Sequence, residues 1–128
     1  MDLLLDTCAI VWLAAEPGRL SKKARTAIDA GDARLFASDA STWEICLKWQ
    51  SKKLTLPAPP RRWIVEQARA WQTTRLPLEP EHLYRSSELP PFHRDPFDRL
   101  LVAQAIEGDL TIVTPDPAIH AYPVAVLW

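Results

Sequence analysis

The sequence predicts an α/β domain, a parallel sheet of four or five short strands with helices on both faces. Three observations carry that reading. Short apolar runs alternate with longer amphipathic runs along the chain. The first run, "DLLLD" (Asp2 to Asp6), is almost wholly apolar, the pattern of a strand covered on both faces. The 128 residues contain no internal repeat, low-complexity tract or linker, and 48% of them are hydrophobic, so residues 1–128 are expected to form one domain with a proper core.

The elements follow in order. Asp2 to Asp6 is the first strand. "TCAIVWLAAE" continues from it as a helix that Pro17 and Gly18 end. Ser21 can cap "KKARTAIDA", with Gly31 as its C-cap glycine. Arg34 to Ser38 ("RLFAS") is the second strand, and Ser41 opens the helical run "TWEICLKWQSKK". "LPAPPRRWIVEQARAW" starts with prolines and becomes amphipathic, with Trp63, Ala70 and Trp71 at helical spacing. "RLPLE" is a weak third strand that its proline confines to an edge. The helical stretch "PEHLYRSSEL" leads to "HRDPFDRLLVAQA", a helix whose stripe is Asp98, Leu101, Val102 and Ala105. Leu110 to Thr114 ("LTIVT"), the turn "PDP", a short "AIHAY" and the apolar "VAVLW" complete the chain.

Composition narrows the function. Cys8 and Cys46 each sit in an apolar helical run, which suits reduced, packed thiols in a cytosolic protein. No apolar run approaches the roughly 18 residues of a membrane span, and "MDLLLDT" lacks the features of a signal peptide. The net charge is -1, from 15 Lys+Arg and 16 Asp+Glu, so any polyanion must be held locally.

In open α/β sheets, ligands sit beyond the carboxyl ends of the strands, where strand order reverses. Asp6 ends the first strand, Asp116 follows "LTIVT", and Glu44 lies in the first turn of the helix after the second strand. Asp98 joins them if its helix starts at the same edge. Each acid also has an ordinary explanation. Ser41 to Glu44 fits the capping box S-x-x-E, and Asp95, Pro96 and Asp98 fit an N-cap and first helical turn. Asp6 can accept from the next helix, and Asp116 can be a turn aspartate. Yet Asp98 heads an apolar stripe, which a cap does not need.

Together the acids demand more. Two carboxylates about 5 Å apart at an effective dielectric of about 20 repel by about 3 kcal/mol. Arg99 or Lys48 can offset part of this, and a hard divalent cation is the more economical partner. His82, His93 and His120 are scattered, without the paired spacing of a zinc site. The expected ion is Mg²⁺ or Mn²⁺, which points to hydrolysis or transfer at phosphorus.

The segments "LLLDT" (3–7), "STWEICLK" (41–48), "LPPFHRDPFDRLLVAQA" (89–105) and "LTIVTPD" (110–116), with the ending "YPVAVLW", closely resemble the PIN-domain ribonucleases that act as VapC-type toxins of toxin-antitoxin pairs. The resemblance runs the length of the chain. It implies a PIN-like three-layer α/β/α sandwich with parallel strand order 3-2-1-4-5. It also implies that Asp6, Glu44, Asp98 and Asp116 are the catalytic acids that bind Mg²⁺ or Mn²⁺, supported by Thr7, Thr114, Asp95 and Arg99, with Asp95 capping the helix that presents Asp98. Lys52 departs from a glycine that relatives often carry.

The implied activity is metal-assisted hydrolysis of an RNA phosphodiester to a 5′-phosphate and a 3′-hydroxyl. Lys48, Lys52, Lys53, Arg61 and Arg62 are candidates for phosphate contacts, against the alternative of a solvated helix face. Six tryptophans (Trp12, Trp43, Trp49, Trp63, Trp71 and Trp128) are expected mostly in the core. The resemblance adds a homodimer and an antitoxin-helix groove that Trp49, Trp63 or Trp71 can anchor. Three rivals stand beside this reading. A haloacid-dehalogenase-type phosphatase expects an acid where Cys8 stands, a non-catalytic PIN-like module is expected to have lost an acid, and a DNA nuclease uses the same chemistry.

Overall fold

The computed structural model describes residues 1–128. Five strands, β1 (Asp2–Leu5), β2 (Arg34–Ser38), β3 (Thr74–Leu76), β4 (Thr111–Val113) and β5 (Val126–Leu127), form one parallel sheet in the order β3-β2-β1-β4-β5. Seven helices make the crossovers: α1 (Thr7–Ala15), α2 (Lys22–Asp29), α3 (Asp39–Gln50), α4 (Pro60–Trp71), α5 (Pro80–Glu88), α6 (Pro96–Gly108) and α7 (Pro117–His120). The proline-bearing "RLPLE" region does supply the edge strand β3.

Alternation along β1 builds the three layers. Leu4 points to one face, where Phe36 and Ile112 meet Leu101, Val102 and Ala105 of α6 and Ile119 of α7. Leu3 and Leu5 point to the other, where Leu35 and Val113 meet Ala9 and Leu13 of α1 and Ala24 and Ile28 of α2. All three β1 leucines are at most 1% exposed, which explains why the run reads as continuously apolar. A smaller cluster of Ile45, Ala58 and Trp63 joins α3 to α4.

Several local expectations are corrected. Strand β1 ends at Leu5, and Asp6 is the N-cap of α1. Helix α3 starts at Asp39 and is capped by Ser38, whose Oγ accepts from the Ala40 N–H at 2.9 Å; Ser41 lies inside the helix. Gly31 is not a left-handed C-cap, since no glycine has positive φ. The left-handed positions are Lys52 (φ 62°), Gln72 (φ 53°) and Asp109 (φ 52°). Lys52 follows α3 in a Schellman closure, with Lys53 N–H donating to Lys48 C=O at 2.8 Å and Lys52 N–H to Trp49 C=O at 3.1 Å. This is the conformation glycine adopts most easily. The tryptophans are also not mostly core, because only Trp63 is buried and Trp43 and Trp49 are 56% and 42% exposed. Trp12 and Trp128 lie against each other with ring centroids 5.9 Å apart.

Candidate metal centre

The chain leaves β1 toward β2 on one side and later fills the other side with β4, so the carboxyl end of β1 is the switch point of the sheet. Two aspartates stand there as helix caps. Asp6 Oδ1 accepts from the Ala9 N–H at 2.8 Å and the Cys8 thiol at 3.1 Å. Asp116 Oδ1 accepts from the Ala118 N–H at 2.9 Å, and the Asp116 N–H donates to Thr114 Oγ1 at 3.1 Å. A third aspartate, Asp95, caps α6 through the N–H groups of Phe97 (2.8 Å) and Asp98 (3.3 Å), which places Asp98 at the head of its buried stripe. Glu44 enters from α3.

These residues line one open cavity of about 340 Å³ that holds Asp6, Glu44, Asp95, Asp98 and Asp116, with Lys48 and Lys53 among its walls. Burial is severe for two of the acids, Asp6 at 4% exposure and Glu44 at 5%. Burial raises the Asp6 carboxyl above its usual value against hydrogen bonds from Thr114, Cys8 and Ala9, and the charge of Asp116 adds to the rise. Asp98 is pushed up to about 7 by burial first and then by Asp95, with His93 opposing and Glu44 and Asp6 adding. Burial and the neighbouring Asp6 push the Cys8 thiol up as well, so it stays a protonated donor.

Glu44 is the acid whose two oxygens differ most. Its Oε2 meets Lys48 Nζ at 2.7 Å, and this hydrogen bond raises the lysine. Its Oε1 is buried without any partner, the only such side-chain atom in the molecule. A buried acceptor left unsatisfied costs about 1–3 kcal/mol, and carboxylates crowd around it. Hard oxygen donors and one orphaned carboxylate oxygen fit a hard divalent cation.

One further side chain enters the site. His93 Nε2 lies 2.9 Å from Asp98 Oδ2 and 2.8 Å from Asp116 Oδ2. The three residues offer ligand atoms within 4.8 Å of one another.

The sequence pattern that describes the PIN domain matches residues 3–124. This chain belongs to the PIN-domain family. Ribonuclease VapC22 of Mycobacterium tuberculosis (strain ATCC 25618 / H37Rv) is 33% identical to this PIN domain over 129 residues, covering 97% of each chain. In fold, this chain is similar to VapBC2 from Rickettsia felis bound to a promoter DNA fragment, with TM-score 0.70 at 14% identity over 98% of this chain and 97% of that one. DNA-bound VapBC from Salmonella typhimurium is similar too, with TM-score 0.69 at 14% identity over 98% and 96% of the two chains.

The PIN fold brings Asp6, Glu44, Asp98 and Asp116 to one cavity, as the reading of the sheet edge expects. It corrects several details around them. Ser41 and Glu44 do not form a capping box, because α3 begins earlier; the Ser41 hydroxyl instead accepts from Thr7 Oγ1 at 3.0 Å. Thr7 therefore supports a hydroxyl and not an acid, whereas Thr114 supports both Asp116 and Asp6. Lys48 offsets acid charge, but Arg99 turns away to the carbonyls of Ser86 (2.7 Å), Leu89 (3.0 Å), Pro90 (3.0 Å) and His93 (3.2 Å). Of the candidate phosphate contacts, Lys48 and Lys53 line the cavity. Lys52 is exposed at the α3 exit, Arg61 lines a separate groove with Cys46 and Trp49, and Arg62 pairs with Glu66 at 3.4 Å. No zinc-type spacing in the sequence points to His93; the signal that finds it is its place two residues before the cap Asp95, where its Nδ1 accepts from the Asp95 N–H at 3.1 Å.

Proposed function

We propose that this chain is an endoribonuclease toxin of the VapC type that needs Mg²⁺ or Mn²⁺ and is silenced by a cognate antitoxin. Residues 1–128 make up its single PIN domain in this reading. The observation that carries it is the convergence of Asp6, Glu44, Asp98 and Asp116, from four separate segments, on a cavity with an orphaned buried carboxylate oxygen. The likeness to Ribonuclease VapC22 supports RNA as the substrate, and the VapBC neighbours support an antitoxin partner.

A bound divalent cation supplies charge neutralisation at the phosphate and acidification of water. The chain does the rest. Asp6, Asp98 and Asp116 hold the ion, and Asp95 fixes the helix that presents Asp98. Glu44 Oε1, the one acceptor free of partners, would face the ion's water, orienting it and taking its proton. Lys48 and Lys53, on the cavity wall, meet the RNA backbone. No helix is long and apolar enough to cross a membrane. A homodimer is part of the same proposal.

The deciding experiment incubates the purified protein with a structured RNA and with DNA of the same sequence, in Mg²⁺, Mn²⁺ and chelator, beside Asp6→Asn. Cleavage of RNA alone, only with metal, absent in the variant and leaving 5′-phosphate ends, is the expected result. Cleavage in chelator, or of DNA alone, overturns the proposal.

A further inference from the structure

His93 stands beside the cavity, held through both its backbone and its ring. Its N–H donates to Tyr122 Oη at 3.0 Å, its C=O accepts from Arg99 Nη1 at 3.2 Å, and its ring Nδ1 accepts from the Asp95 N–H at 3.1 Å. Arg99 and Tyr122 are themselves tied together at 3.2 Å, and Tyr122 Oη donates to Pro90 C=O at 2.7 Å. The loop before α6 is thus fastened at both sides of the imidazole.

That arrangement decides what the ring can do. A nitrogen that accepts an N–H carries no proton, so the neutral imidazole has its hydrogen on Nε2. Nε2 faces the Oδ2 atoms of Asp98 (2.9 Å) and Asp116 (2.8 Å), to which it donates. A protonated Nε2 has no lone pair for a metal. The need for a cation in the cavity rests on separate ground, the buried Glu44 Oε1 without a partner.

We infer that His93 is a positioning residue of this site: its Nε2–H links the Asp98 and Asp116 carboxylates and holds them for the cation without ligating it. The inference rests on the metal reading of the cavity given above. Hydrogen bonds that orient ligating carboxylates are a general device of metal sites, and losing one lowers metal affinity by about 10–100-fold. Only a side-chain N–H donor at position 93 can serve, so glutamine replaces it in part and alanine does not.

The test is Mn²⁺ binding by calorimetry and by pulsed electron spin resonance for wild type, His93→Ala and His93→Gln, with unfolding in chelator as the control. Wild type is expected to bind Mn²⁺ without a directly bound nitrogen signal. His93→Ala is expected to bind about 10–100-fold more weakly, and His93→Gln to recover part of the loss. A bound-nitrogen signal in wild type that His93→Ala abolishes overturns the inference, because the ring is then a ligand. Equal or tighter binding by His93→Ala also overturns it, because the ring then only blocks the site. If wild type binds no Mn²⁺, the metal reading itself falls, and the inference with it. If His93→Ala fails to fold, His93→Gln and Tyr122→Phe carry the comparison, each expected to weaken Mn²⁺ binding; unchanged binding in both overturns the inference.

Discussion

Lys48 Nζ lies 2.7 Å from Glu44 Oε2, one turn further along α3, and leaves the Oε1 of the same carboxylate buried without a donor. The lysine is half exposed, so it reaches the glutamate from the solvent side. Replacing it with methionine keeps the stem and removes the only cation in contact with Glu44. Lys48→Met is expected to lose about 1–3 kcal/mol in chelator, the cost of an unsatisfied buried acceptor. Urea unfolding measures this, and saturating Mn²⁺ should narrow the gap to wild type.

Asp98→Asn separates a structural acid from a metal-binding one. In chelator the variant should be at least as stable as wild type, because a charge leaves a cavity shared with Asp6, Glu44 and Asp95. At free Mn²⁺ about 100 times the Kd, wild type should gain about 2.7 kcal/mol and the variant nothing. Thermal unfolding of both proteins in both conditions is the measurement. Destabilisation without any metal response makes Asp98 a plain first-turn acid.

The pH dependence in chelator has a definite sign. Burial and the charge of Asp95 lift Asp98 from 3.8 in the unfolded chain to about 7 in the folded one. Between those values the native state keeps a proton that the unfolded state has released, so stability falls as pH rises. The contribution is fully present below about pH 4 and is lost as pH passes about 7. Asp6 is raised as well and acts in the same direction. Denaturant midpoints across this range should decline in wild type and decline less in Asp98→Asn.

Arg99 closes the loop before α6 through four carbonyls and the Tyr122 hydroxyl. Lysine cannot reproduce the planar fork. Arg99→Lys is expected to cost about 1–3 kcal/mol, and Tyr122→Phe about 0.5–1.5 kcal/mol. Hydrogen exchange of residues 89–95 should rise in both while α2 stays protected.

Lys52 holds φ at 62° in the closure of α3. A non-glycine residue in that conformation carries about 1–2 kcal/mol of strain, part of which glycine gives back as unfolded-state entropy. Lys52→Gly should therefore stabilise the chain by about 0.5–1 kcal/mol, seen as a higher urea midpoint at unchanged slope.

Much of this architecture is legible in the sequence because burial on both faces writes itself into β1 and β4 as apolar runs. The bounds Arg34 to Ser38 read for the second strand are those of β2. The start of α3 was harder, because "SDAST" offers several capping side chains and a tertiary contact selects among them: Ser38 caps while its hydroxyl also donates to Gln104 in α6. Gly31 suggests a cap by residue type alone, although the left-handed positions go to Lys52, Gln72 and Asp109. Proximity of Asp6 and Asp116 is legible through topology, since both follow strands whose carboxyl ends meet at one edge, and not through any short spacing. His93 is only half legible: its place two residues before the cap Asp95 and five before Asp98 is local, whereas its other partner, Asp116, lies 23 residues away.

Strand β1 pairs with β4 by placing Leu3 beside Thr111, so β1 waits for residues more than a hundred positions further along the chain. While a ribosome is still producing α3, α4 and α5, the edge of β1 that β4 will cover is open, and no cavity can form around Asp6. The four acids share one cavity only once β4, which leads to Asp116, has joined the sheet. In the proposed reading, a chain that has not yet placed β4 beside β1 lacks Asp116 at its site and is not yet an active nuclease.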